Sequence, residues 1–260
     1  MAELRGQTAI VTGAGRGIGR AIAQALGAQG ANIVLCGRSV AAMETLAGEL
    51  RLQGTRPLVV SCDVRHEPEV ERVVSAALEA HGQIDLLVND AGVGGPTALA
   101  RDVSAADWHE TMDINLTGAF FCAKHVSKPM IERRRGNIVN IASVAGRVGF
   151  AMRTPYAASK WGMIGLSHSL AAELGPHGIR VNAVVPGPVD GERYDTVIDS
   201  RAAALGITPQ AAREGDRQNI PLGRAITPQE VAAAVLFLAS DASSGITGQA
   251  LNVCGGFRMQ

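Results

Sequence analysis

The chain has 260 residues, and its 24 lysines and arginines are balanced by 24 aspartates and glutamates. That balance excludes the charge signature of a nucleic-acid binder, and the one basic triplet, Arg133-Arg134-Arg135, sits where it would compensate a helix C-terminus. A chain this long needs no disulfide or metal staple, and Cys36, Cys62, Cys122 and Cys254 form no ligand cluster, so they read as buried, reduced thiols and no metal is expected.

The first apolar run, Gln7–Thr12, is too short for a signal peptide and reads as a buried strand. A glycine-rich turn follows, then a helix over 17–29. The strand Asn32–Cys36 leads to a helix over 40–53, Pro57–Cys62 to one over 67–80, and Ile84–Asn89 to one over 104–134. Asn137–Ala142 leads to a helix over 154–174, and Ile179–Val185 is the sixth strand. A polar, helix-prone stretch at 188–226 then precedes a helix over 228–239 and a last strand, Ala250–Val253. Strand and helix alternate almost to the end. That order predicts one α/β domain over 1–260: a Rossmann-like, doubly wound, parallel seven-stranded sheet with helices on both faces. The stretch 188–226 follows a strand's carboxyl end, where such sheets bind ligands, and is expected to be a substrate lid. No apolar stretch is long enough to span a bilayer, so no membrane partner and a cytoplasmic location are expected.

Between the first strand and first helix lies Thr12-Gly13-Ala14-Gly15-Arg16-Gly17-Ile18-Gly19. Glycines there allow a tight turn and let backbone approach a pyrophosphate, beside the positive end of the helix. The spacing is T-G-x-x-x-G-x-G; a strict G-x-G-x-x-G is absent. No Asp or Glu occurs between Glu3 and Glu44, so the second strand ends without the acid that would meet a ribose 2′-hydroxyl. It ends instead on Arg38, placed to meet a 2′-phosphate, with Arg16 as a second cation. NADP(H) is therefore favoured, with NAD(H) possible. Asp63, after the third strand, either reaches an adenine amino group or caps the helix beginning near Glu67. Asn89 ends the fourth strand, where it could brace the sheet edge.

Tyr156 and Lys160 stand four apart on a predicted helix, which puts phenol and ammonium on one face. A free phenol has a pKa of about 10, and a nearby cation lowers it toward a working acid/base. Ser143 ends the fifth strand and could hydrogen-bond a substrate oxygen, though a turn role fits it too. Asn115 lies in a helical stretch, where Asn is unfavourable; it either breaks the helix for a purpose or faces solvent.

Together these residues resemble the short-chain dehydrogenase/reductase family. The resemblance rests on the Thr12–Gly19 turn, Asn89-Asp90-Ala91-Gly92, Asn115, Ser143, Tyr156 with Lys160, and Pro186-Gly187, in the family's order. It covers essentially the whole chain. It implies a tetrad of Asn115, Ser143, Tyr156 and Lys160: Tyr156 as acid/base, Ser143 orienting the carbonyl, Lys160 lowering the tyrosine pKa and holding the nicotinamide ribose, Asn115 supporting a proton-relay water. It also implies that Gly13, Ile18, Asp63, Val64, Asn89, Ala91, Pro186 and Val189 line the cofactor, with Gly15, Gly17, Gly19, Gly92 and Gly187 in the same turns. A homotetramer is implied, joined through the helices over 104–134 and 154–174 and the C-terminal strand.

Two departures stand out. The family's usual Asn-Asn-Ala-Gly carries Asp90, which keeps an acceptor and loses an amide donor. A threonine often follows Pro-Gly, whereas here Pro188-Val189-Asp190-Gly191-Glu192-Arg193 follows. The expected activity is hydride transfer between a nicotinamide cofactor and a small secondary alcohol or ketone. A 3-oxoacyl-thioester reductase is the alternative, and a non-catalytic dinucleotide sensor or scaffold is a second class. Expected pocket residues are Gly94, Gly95, Pro96, Val144, Ala145, Met152, Arg153 and those near Tyr194. Arg153 or Arg193 either meets a substrate carboxylate or phosphate, or is solvated surface.

Overall fold

The computed structural model describes residues 4–257. Its strands are β1 (Thr8–Thr12), β2 (Asn32–Gly37), β3 (Leu58–Ser61), β4 (Leu86–Asn89), β5 (Gly136–Ile141), β6 (Ile179–Pro186) and β7 (Ala250–Val253). They form one parallel sheet in the order β3-β2-β1-β4-β5-β6-β7. Alternate strand residues feed two cores. Ala9, Val11, Ile33 and Leu35 pack on one face, Ile10, Val34 and Cys36 on the other. That is why these strands are apolar almost throughout. The helices α1 (Gly17–Ala28), α2 (Val40–Leu52) and α9 (Pro228–Ala239) cover the first face. The second face is covered by α3 (Glu67–His81), α5 (Gly118–Arg133) and α6 (Thr154–Leu174).

Strand order reverses between β1 and β4, which opens a crevice at their carboxyl ends. Thr12 ties the two sides of that switch: its Oγ1 accepts from the amides of Asp90 and Ala91, each at 3.0 Å. Gly13, at φ 70°, closes the gap, and a Cβ there would lie 3.0 Å from the Ala91 backbone.

The helix expected over 104–134 is not continuous. It runs as α4 (Ala105–Met112), a π turn over Asp113–Thr117, then α5. The extra residue in that turn lets Asn115 point inward, where it is wholly buried. The stretch 188–226 holds two helices, α7 (Glu192–Leu205) and α8 (Pro209–Gln218). Its two ends are tied by a single parallel bridge between Val189 and Ile226. All four cysteines are buried and none is in a disulfide, and no helix among the described residues is long and apolar enough to cross a membrane.

Candidate active site

A cleft of about 470 Å³ opens at the switch point, between the sheet edge and α7–α8. Its floor is the turn after β1, where Gly13, Gly15, Arg16, Gly17 and Ile18 line it. Gly17 has φ 55°, and a Cβ there would enter open space, so the turn leaves room for a group against the start of α1. Gly19 stands behind the lining. A Cβ on it would meet the Gly13 carbonyl oxygen at 2.6 Å and Asp90 Oδ2 at 2.7 Å, so only glycine lets α1 approach this closely.

At the end of β2, Arg38 is exposed and lines the cleft; its side chain makes no hydrogen bond or ion pair among the described residues. Arg16 differs. Its guanidinium meets the Glu192 carboxylate at 2.9 Å, with both side chains 76% exposed, so it is already engaged with α7. Asp63 lines the cleft but caps nothing: His66 precedes α3, and Asp63 is held by Arg65 at 2.6 Å. That hydrogen-bonded guanidinium keeps its carboxyl at about 2. Asn89 braces the sheet from beneath, donating to Asn140 Oδ1 at 2.9 Å and to the Ala119 carbonyl at 3.3 Å. Val64, Ala91, Gly92, Pro186, Gly187 and Val189 all line the cleft.

At the other end, Ser143, Tyr156 and Lys160 come together. Ser143 follows β5, is 9% exposed, and its hydroxyl lies beside the Tyr156 phenol, which it helps to lower. Lys160 is 4% exposed; its Nζ donates to the Ile141 carbonyl at 2.7 Å and lies 5.8 Å from the Tyr156 ring centroid. Burial alone would push the phenol up. Lys160, the Ser143 hydroxyl, Arg193 and Arg153 together outweigh it and hold it below its ordinary value. Burial likewise lowers the Lys160 ammonium, against the pull of Tyr156 and Asp90.

Asn115 stands behind this group. Its Oδ1 accepts from the Val93 amide at 2.7 Å, and its Nδ2 donates to the Val93 carbonyl and to Ser159 Oγ, both at 3.0 Å. Both amide protons are used, so the side chain clamps α6 to the loop after β4.

Asp90 Oδ2 stands against Gly19, and burial pushes the carboxyl up to about 7 despite Arg193, Lys160 and the nearby Gly19 amide. Arg193 reaches from α7 to the Gly92 carbonyl at 2.7 Å. Arg153 is not surface. It is 8% exposed, donating to the Gly94 carbonyl at 2.7 Å and Thr97 Oγ1 at 3.3 Å. Gly95, Pro96 and Met152 do not line the cleft, whereas Phe150, Val197, Arg201, Asp216 and Phe257 do. Tyr194, Val197 and Arg201 share one face of α7 by their spacing, a pattern legible in the sequence; Asp216 joins them only through the packing of α8.

A family model described as enoyl-(acyl carrier protein) reductase matches residues 13–258. A 3-oxoacyl-acyl-carrier-protein reductase of Synechocystis sp. is 40% identical over 100% of both chains. The chain belongs to the short-chain dehydrogenase/reductase family. Solved structures of that family superpose closely. NAD⁺-bound xylitol dehydrogenase gives a TM-score of 0.94 at 34% identity, covering 97% of this chain and 99% of its own. A variant of actinorhodin polyketide ketoreductase with NADPH gives 0.93 at 39%, covering 99% of each. In this short-chain dehydrogenase/reductase the glycine turn, Arg38 and the Ser143–Tyr156–Lys160 group lie along one cleft.

Proposed function

We propose that this protein interconverts a secondary alcohol and a ketone with NADP(H), Tyr156 serving as acid/base. One observation carries the reading: Ser143, Tyr156 and Lys160 stand together in the cleft that begins at the glycine turn, with Lys160 Nζ 5.8 Å from the Tyr156 ring centroid, where it lowers the phenol. Bound nicotinamide supplies the hydride in reduction and takes it in oxidation. The Ser143 and Tyr156 hydroxyls converge on one point and hold the carbonyl oxygen there. Tyr156 gives its proton to that oxygen as charge builds on it. Lys160, anchored on Ile141, stabilises the phenolate left behind. In oxidation the same phenolate takes the alcohol proton. Asn115 acts by position, through Val93 and Ser159. Residues 188–226 serve as a lid, with Arg16–Glu192 and Arg193–Gly92 as its contacts across the cleft. Arg38, which makes no hydrogen bond or ion pair among the described residues, would hold the 2′-phosphate of NADP(H).

A 3-oxoacyl-thioester substrate is the second reading, favoured by the Synechocystis relative's name. A homotetramer and a reducing, cytoplasmic setting belong to the same proposal. Phe120 on α5, Trp161 on α6 and Leu251 on β7 are exposed apolar residues on the elements that would join copies, and four cysteines outside any disulfide suit such a compartment. The test is isotope transfer: with NADPH deuterated at its transferable position and a ketone panel, the alcohol should gain one deuterium at its carbinol carbon. NADH run beside it should work more slowly. Unlabelled alcohol, formed with the label lost to water, would contradict direct transfer.

A further inference from the structure

Asp85, Arg153 and Lys160 are the buried charged residues among those described. Asp85 pairs with Arg133 at 3.0 Å. Lys160 has Tyr156 and Asp90. Arg153 has no carboxylate. Its charged neighbours are Arg193 and Arg201, which repel it, and the Tyr156 phenol. Arg201 is neutralised by Asp216 at 2.9 Å, and Arg193 donates to the Gly92 carbonyl and has the Asp90 carboxyl as its acidic neighbour. Glu192 is taken by Arg16, and Asp190 faces Arg224 instead. The substrate end of the cleft thus holds one buried guanidinium, Arg153, with no carboxylate facing it among the described residues.

Burying a guanidinium without a counterion is costly. Here the chain also accepts backbone strain to do it. Met152 takes φ 62°, a left-handed conformation unfavourable for a side chain of its kind, in the turn that delivers Arg153 to the cleft. Two neutral acceptors, Gly94 O and Thr97 Oγ1, fix the plane of the group, while its Nε has no acceptor. Its Cζ lies 5.2 Å from the Tyr156 ring centroid. A cation so placed, held rigidly and left without a partner, suits an oxyanion on the molecule that Tyr156 protonates.

We infer that Arg153 is a specificity-determining residue, and that the substrate is a small ketone or secondary alcohol bearing an oxyanion, such as a short oxo or hydroxy acid. The inference rests on the catalytic reading above for what happens to the carbonyl, but not for the binding of the anion. Arg193 adds a second positive charge at the cleft mouth. The closeness of Arg153 to Tyr156 places the anion near the reacting carbon, which favours a small acid over a long neutral thioester.

The experiment is calorimetric titration of the NADP⁺-saturated enzyme with short-chain carboxylates, the matching sulfonates and phosphonates, and the matching neutral amides. The oxyanions should bind and the amides should bind about 100-fold more weakly, the scale of a truncated buried charge pair. The ranking of the three anions identifies which oxyanion the site takes. Arg153→Gln should erase the preference and Arg153→Lys should keep part of it. Equal binding of acid and amide to the wild-type enzyme would overturn the inference, whether or not either variant folds. Turnover of a keto acid and its methyl ester is then compared. Loss through KM for the acid alone in Arg153→Gln is expected, and parallel loss for both, with a shifted pH profile, would mean that Arg153 serves Tyr156 instead. Absence of turnover with every ketone, beside intact anion binding, would count against the catalytic reading and leave the anion site standing.

Discussion

Asp90 is a carboxyl where the family's usual sequence has an amide, and its surroundings make it a pH-dependent element of the cofactor floor. Burial raises it to about 7, and Arg193, Lys160 and the Gly19 amide only partly oppose that. A folded-state value above the unfolded one, about 3.9, means that the folded protein holds the extra proton between those values. Stability is therefore full below the unfolded value and falls as pH rises toward 7. Asp90→Asn should melt several degrees higher than wild type at pH 8 and nearly level with it at pH 4.5, read by thermal denaturation across pH. A constant difference at both pH values would contradict the assignment. The sequence shows the loss of the amide donor at Asp90, but the Gly19 contact depends on how closely α1 seats against β4. Tyr156 and Lys160 are legible because i, i+4 spacing fixes their common face. Arg153 is not, because its burial depends on the left-handed turn at Met152, which no local preference for methionine announces.

At the scale of elements, the reacting group is positioned by close backbone contacts. Gly146 follows the Ser143 turn, and a Cβ on it would lie 2.5 Å from the Lys160 carbonyl oxygen and 2.8 Å from its carbon. Neither can yield without moving α6. Gly146→Ala should cost about 1–3 kcal/mol of stability, the usual overpacking cost, seen in chemical denaturation. It should also lower kcat disproportionately, because Tyr156 and Lys160 move with the helix. Wild-type stability and rate together would show that the contact is soft. Strand periodicity makes the alternating sheet readable in the sequence, since runs buried on both faces are apolar throughout. The π turn at Asp113–Thr117 is not readable that way. Apolar spacing through 104–134 continues across it, and the buried Asn115 is the one local sign that a regular helix is interrupted. The stretch 188–226 shows as polar and helix-prone, but its division into α7 and α8 needs packing among Tyr194, Ile198, Ala202 and Ala212.

For the whole molecule, the strand order with its reversal between β1 and β4 explains why cofactor turn and reacting group share one cleft, although Gly13 and Tyr156 are far apart in sequence. The exposed Phe120 and Trp161 on α5 and α6 leave an apolar surface that a second copy would cover. Trp161→Glu should convert a tetramer to smaller species by light scattering after size exclusion. An unchanged mass would place the interface elsewhere, and a monomeric wild type would remove the tetramer from the account.

The most direct test of the central claim is steady-state NADPH oxidation by wild type and Tyr156→Phe on the same ketones, with cofactor affinity measured in parallel by fluorescence. With the phenol as the proposed proton donor, the variant should bind NADPH as wild type does and lose turnover by at least about 100-fold, the scale of a lost acid/base. A variant that binds NADPH and turns over at the wild-type rate would show that Tyr156 does not carry the proton.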